Sequence, residues 1–165
     1  YQHLLGCTYM QTKEPENAVE PFRKCLESAE RQQAGPEALL IAQFNLCEAQ
    51  RRSGTNVDVG WKRVIQSYEA TLPTMTAGNT TLRMNRQQAI HIGYALLGQK
   101  AKAITLLEDV EKLARQTPSQ ERIFSVADYD EVSRENFLAQ NQMMIEAIKL
   151  DQLWDGYPFT IHNLE

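Results

Sequence analysis

The stretch LLGCTYMQTKEPENAVEPFRKC, residues 4–25, decides how the chain folds. Leu5, Gly6 and Tyr9 share one helical face at its start, and Ala18, Phe22 and Cys25 share another at its end. Between them lies Thr12-Lys13-Glu14-Pro15, with a proline suited to the first turn of a second helix, where no N–H is needed. Small residues at facing positions allow two antiparallel helix backbones to approach closely, and the neighbouring aromatic fills the wedge beside them. The stretch therefore reads as one tight helical hairpin.

The small–x₃–large–x₂–small pattern of Ala18, Phe22 and Cys25 returns as Gly60, Val64 and Ser67, then as Ala103, Leu107 and Val110, at offsets of 42 and then 43 residues. Ahead of each set lies a Leu or Ile followed by a smaller residue or histidine: Leu5-Gly6 with Tyr9, Leu46-Cys47 with Gln50, and Ile90-His91 with Tyr94. Pro15, Gly35-Pro36, Ser53-Gly54, Pro73, Gly78, Gly98 and Pro118 punctuate the chain, and no sustained alternation of β-branched residues appears. The spacing predicts helices over 1–12, 15–33, 36–53, 57–71, 80–97 and 100–116, with Pro21 bending the second. A further helix is expected from Arg134 to Trp154, with Phe137, Met144, Ile145 and Ile148 as its buried stripe. Self-similarity at a fixed period is the mark of stacked repeats, because one hairpin cannot bury both of its faces.

The arrangement Leu5-Gly6-x₂-Tyr9 followed by Ala18-x₃-Phe22-x₂-Cys25 resembles the tetratricopeptide repeat signature, lacking only the opening tryptophan (Gln2 here) and the closing proline. The set Tyr94, Leu97-Gly98, Ala103-Ile104 and Leu107 resembles it as well, and the middle repeat is degenerate. The period exceeds the 34 residues of the basic motif, and in this it is similar to the extended repeats of kinesin light chains. The resemblance implies an all-α fold, an α-solenoid of antiparallel helix pairs wound into a right-handed superhelix. It divides the chain into hairpins at about 1–35, 36–78 and 79–118, with residues 119–165 as capping helices or a partial fourth repeat.

Composition agrees with a soluble globular protein: 42% hydrophobic residues, 23% charged and a formal charge of −4. That charge argues against a nucleic-acid partner, which calls for a basic stripe. No apolar run approaches the roughly 18 residues that span a bilayer, so no membrane insertion is expected. Cys7, Cys25 and Cys47 are odd in number and lack CxxC spacing, which leaves neither a complete disulfide framework nor a zinc signature. A reducing, cytoplasmic setting follows as the simpler expectation, with Tyr1 marking a segment of a longer or processed protein. Asn79-Thr80-Thr81 matches a glycosylation sequon, a triplet common by chance.

No catalytic set is expected. His3 and Cys7 stand one helical turn apart without a third group to orient them, and no nucleotide, hydrolase or metal motif appears. No cofactor and no metal are therefore expected.

The resemblance implies instead a protein–protein interaction scaffold, with the first helices of successive hairpins lining a concave groove. The positions so assigned are His3, Cys7 and Met10; Ile41, Phe44, Asn45, Glu48, Arg51 and Arg52; and Asn85, Gln88, Ile92 and Leu96. Such a groove would take a peptide or helix of a partner protein, with the arginines as forks for carboxylates. The carboxylate clamp that some relatives use for chaperone tails maps to His3, Cys7, Asn45, Asn85 and Ala89, of which only Asn45 agrees, so that ligand is disfavoured. A homo-oligomerising structural module and a peptide-sensing regulatory domain are the alternative readings.

Overall fold

The computed structural model describes residues 1–55, 57–74, 80–118, 123–124, 131–154, 156 and 161. Among the described residues there are seven helices: α1 Gln2–Gln11, α2 Pro15–Arg31, α3 Pro36–Arg52, α4 Asp58–Thr71, α5 Thr80–Leu96, α6 Lys100–Gln116 and α7 Arg134–Lys149. Each packs against the next in succession, the arrangement of an all-helical repeat solenoid. Between α6 and α7 the two-residue strands β1 (Ile123–Phe124) and β2 (Glu131–Val132) form an antiparallel ladder, pairing Ile123 with Val132 and Phe124 with Glu131. Periodicity could not predict a ladder this short, and the segment 119–165 carries one described helix rather than several.

The last helix is shorter than its apolar pattern predicts. It ends at Lys149, not Trp154, because Asp151 takes φ +57 and the amides of Asp151 and Gln152 turn back to the carbonyls of Ile148 and Ala147. The same left-handed stop closes four other helices, at Lys13, Gln33, Gly54 and Gly98, each followed by an amide that bonds five residues back. Such a turn satisfies the orphan carbonyls of the last helical turn and suits glycine, which has no Cβ to strain. At the other end of α7, the Ser133 hydroxyl accepts the Asn136 amide as a cap.

The small residues act as the sequence pattern requires. A Cβ on Gly6 would lie 2.5 Å from the Phe22 ring, and one on Gly60 would lie 2.6 Å from the Cys47 sulfur. Ala18 and Phe22 are fully buried, and the Phe22 ring lies against Gly6 where any side chain would collide with it. Burying a ring of that size contributes about 2–3 kcal/mol. In the next hairpin Trp61 packs edge-on against Phe44, with ring centroids 5.6 Å apart, and a Cβ on Gly93 would approach its indole to 3.1 Å. Trp61 thus seals α3, α4 and α5 together. The largest apolar cluster runs from α3 through α7 and includes Ile161 from the C-terminal segment.

Candidate functional site

The faces of α1, α3 and α5 that were expected to line a groove hold most of their side chains inward. Cys7, Met10, Ile41, Phe44, Asn45, Glu48, Asn85, Gln88 and Ile92 are all buried. His3, Arg51 and Arg52 are half-buried, and only Leu96 is exposed. The apolar members pack against the neighbouring helices. The polar members are the informative ones, since each must find partners where water does not reach.

Glu48 is the centre of the first set. Its carboxylate is fully buried and accepts three charge-assisted hydrogen bonds, from Arg51 Nε at 2.8 Å, Arg51 Nη2 at 2.9 Å and Arg52 Nε at 2.7 Å. Both guanidiniums are therefore engaged within their own helix. A ligand carboxylate would have to compete with Glu48 for either guanidinium. His91 on α5 feels the Arg51 charge. Burial pushes its pKa down to about 4, and its Nδ1–H donates to the Gln88 carbonyl one turn back, leaving the ring neutral.

Arg86 on α5 also has an acidic partner. It reaches from α5 to Glu37 at the start of α3, with Nη2 2.7 Å and Nε 2.9 Å from the same carboxylate oxygen. Gln88 points toward α7: its amide donates to Asn141 Oδ1 at 3.4 Å, and Asn141 Nδ2 donates to the Leu107 carbonyl on α6 at 2.8 Å. This buried polar chain ties α5, α6 and α7 together. Asn141 interrupts an otherwise apolar stripe, a signal that was present in the sequence and passed over.

Asn45 and Asn85 differ from the others. Asn45 is fully buried and meets the main chain of Ile161 twice: its Nδ2 donates to the Ile161 carbonyl at 2.9 Å, and the Ile161 amide donates to its Oδ1 at 2.7 Å. Nothing in the pattern of residues 119–165 pointed to Ile161, a single branched residue in a polar setting. Asn85 is 4% exposed, and neither atom of its amide has a hydrogen-bond partner. A buried amide left unsatisfied costs about 1–3 kcal/mol, so its presence calls for an explanation.

The His3–Cys7 pair does not make an activated thiolate. The Cys7 sulfur is 3.6 Å from His3 Nε2, but burial lowers the imidazole pKa, which disfavours the imidazolium that would stabilise a thiolate. Burial likewise raises the Cys25 thiol, and burial with the Glu48 charge pushes Cys47 up to about 12. Among the described residues no group of three or more His, Cys, Asp or Glu could hold a metal ion. No described helix is long and apolar enough to cross a membrane.

Comparison with known proteins agrees with the helix-pair geometry. Residues 1–32 match the family profile described as tetratricopeptide repeat, which spans α1 and α2 and the close contact of Gly6 with Phe22. That segment is a tetratricopeptide repeat, the unit of helical-repeat scaffolds that mediate protein–protein interaction and are typically non-catalytic. The match identifies the repeat and no finer subfamily. No curated protein and no solved structure matches the chain.

Proposed function

We propose that the chain is an adaptor that holds an extended segment of a partner protein against the faces of α3 and α5, with Asn45 as the main-chain-reading residue. The observation that carries this reading is the pair of hydrogen bonds between Asn45 and Ile161, in which one helix side chain holds both main-chain groups of a residue outside the helices. In that mode main-chain hydrogen bonds give affinity and side-chain pockets give specificity. Asn85, with a buried amide lacking a partner, supplies a second group of the same chemistry on the next such helix. In this reading the hairpins at about 1–35, 36–78 and 79–118 form the scaffold. Residues 119–165 cap it, with α7 packing on α6 as α3 packs on α2.

Peptide display against the intact chain tests the proposal. Selected peptides should share a branched aliphatic position, bind with measurable anisotropy change, and lose affinity when Asn85 is replaced by leucine. Val59→Glu, on an exposed site of α4, should leave binding unchanged. If no peptide is enriched, or if Val59→Glu abolishes binding and Asn85→Leu does not, the face is misassigned.

A further inference from the structure

A depression of about 490 Å³ is walled by the start of α1, the second half of α2 and the first half of α3. That volume lies in the range that holds a small ligand. Its wall is more apolar than polar, and Ala29, Ala38 and Ala42 leave the space, since a larger side chain at any of them would take it up. Beside them stands the half-buried Cys25, whose thiol pKa is raised by burial.

The polar groups on this wall are weighted toward donors. Lys24 has Glu20 at 3.9 Å, the outer limit of an ion pair, and that carboxylate is held more closely by Arg23. The Gln32 amide donates to Ser28 Oγ at 3.3 Å, which leaves the Ser28 hydroxyl to donate in its turn. His3 is kept neutral by burial. The Cys7 thiol, 3.6 Å from His3 Nε2, is placed to donate to it, so the ring proton sits on Nδ1 and that nitrogen too is a donor. Among the described residues no aspartate or glutamate lines the depression, in a chain with 21 acidic residues against 17 basic.

We propose that this depression binds a small amphipathic anion, its aliphatic or aromatic body against Ala29, Ala38 and Ala42 and its negative group facing Lys24 and Ser28. An apolar wall with a few convergent polar groups is the general form of a small-molecule site. The acid-free, donor-bearing wall selects the sign of the charge. The proposal is independent of the partner site on α3 and α5, since neither Asn45 nor Asn85 lines the depression. A molecule seated there touches helices of the first and second hairpins together, so it should stabilise their junction by mass action.

The test titrates the ¹⁵N-labelled full chain with decanoate and with decylammonium, probes with the same tail and opposite charge. Decanoate should saturate with a Kd of about 1 mM and shift the main-chain amides of Cys25, Ser28, Ala29, Ala38 and Ala42. Decylammonium should bind at least about tenfold more weakly. Lys24→Glu should reverse that order. Ala38→Trp, at an exposed position, should block both probes while the chain keeps its cooperative unfolding. Equal binding of the two probes overturns the proposal, as do unsaturable shifts spread over the exposed apolar residues Leu4, Val59 and Leu150. Decanoate affinity unchanged by Lys24→Glu overturns it as well, and that surface variant decides the matter alone if Ala38→Trp fails to fold.

Discussion

Replacing Glu48 with glutamine should destabilise the chain by about 3 kcal/mol, the scale found when one partner of a buried ion pair is removed. The carboxylate is 0% exposed and takes three hydrogen bonds from two guanidiniums, whose side chains keep 16% and 18% exposure. Glutamine fits the same volume but turns an N–H₂ group toward donors, so at least one contact becomes donor facing donor. The loss stays near the lower end of the range because the partly exposed arginines recover some hydration. At an m-value of about 2 kcal/mol/M the urea midpoint should fall by about 1.5 M, with the slope unchanged. Replacing all three residues together, as Glu48→Leu with Arg51→Leu and Arg52→Met, should recover most of that loss, since no charge is left unpaired. A Glu48→Gln midpoint within about 0.5 M of wild type would refute the reasoning. It would mean that the cluster opens to water in solution.

Other outcomes follow from single residues. His91 has its pKa pushed down to about 4 from 6.5 in the folded chain, so the unfolded chain binds the proton more readily. Its contribution is fully present above about pH 6.5 and is lost as pH falls toward 4, by a total of about 3 kcal/mol; an NMR titration showing an ordinary imidazole midpoint would contradict this. Gln33 takes φ +52 at the end of α2, so Gln33→Gly should raise stability by about 0.5–1 kcal/mol in urea unfolding, and a loss would show that the side chain holds the turn. Asn85→Leu should raise the melting temperature by relieving an unsatisfied buried amide while weakening partner peptides, the opposed response expected of a group kept for binding. A rise in stability with unchanged affinity would make Asn85 irrelevant to the site.

Much of the fold was legible in residues 4–25. Gly6, Ala18 and Phe22 are spaced so that one hairpin geometry satisfies them, and the same spacing near Gly60 and Ala103 extended it along the chain. The helix pattern failed where the backbone rather than the apolar stripe decides. The helical reading ran on to Trp154, yet the left-handed turn at Asp151 ends the helix first. The candidate site was legible only as positions. Sequence spacing put Glu48, Arg51 and Arg52 near one another but could not show that they neutralise each other. Asn45 was marked by its likeness to a clamp residue, whereas its partner lies 116 residues away and could be found only in three dimensions.

The most direct test of the account is to map a display-selected peptide on the ¹⁵N-labelled chain by NMR. The account predicts that the largest shifts fall on the side-chain amides of Asn45 and Asn85 and on the Ile161 main-chain amide bonded to Asn45. Shifts confined to the outward surfaces of α4 and α6, with the Asn45 and Ile161 signals unmoved, would contradict it.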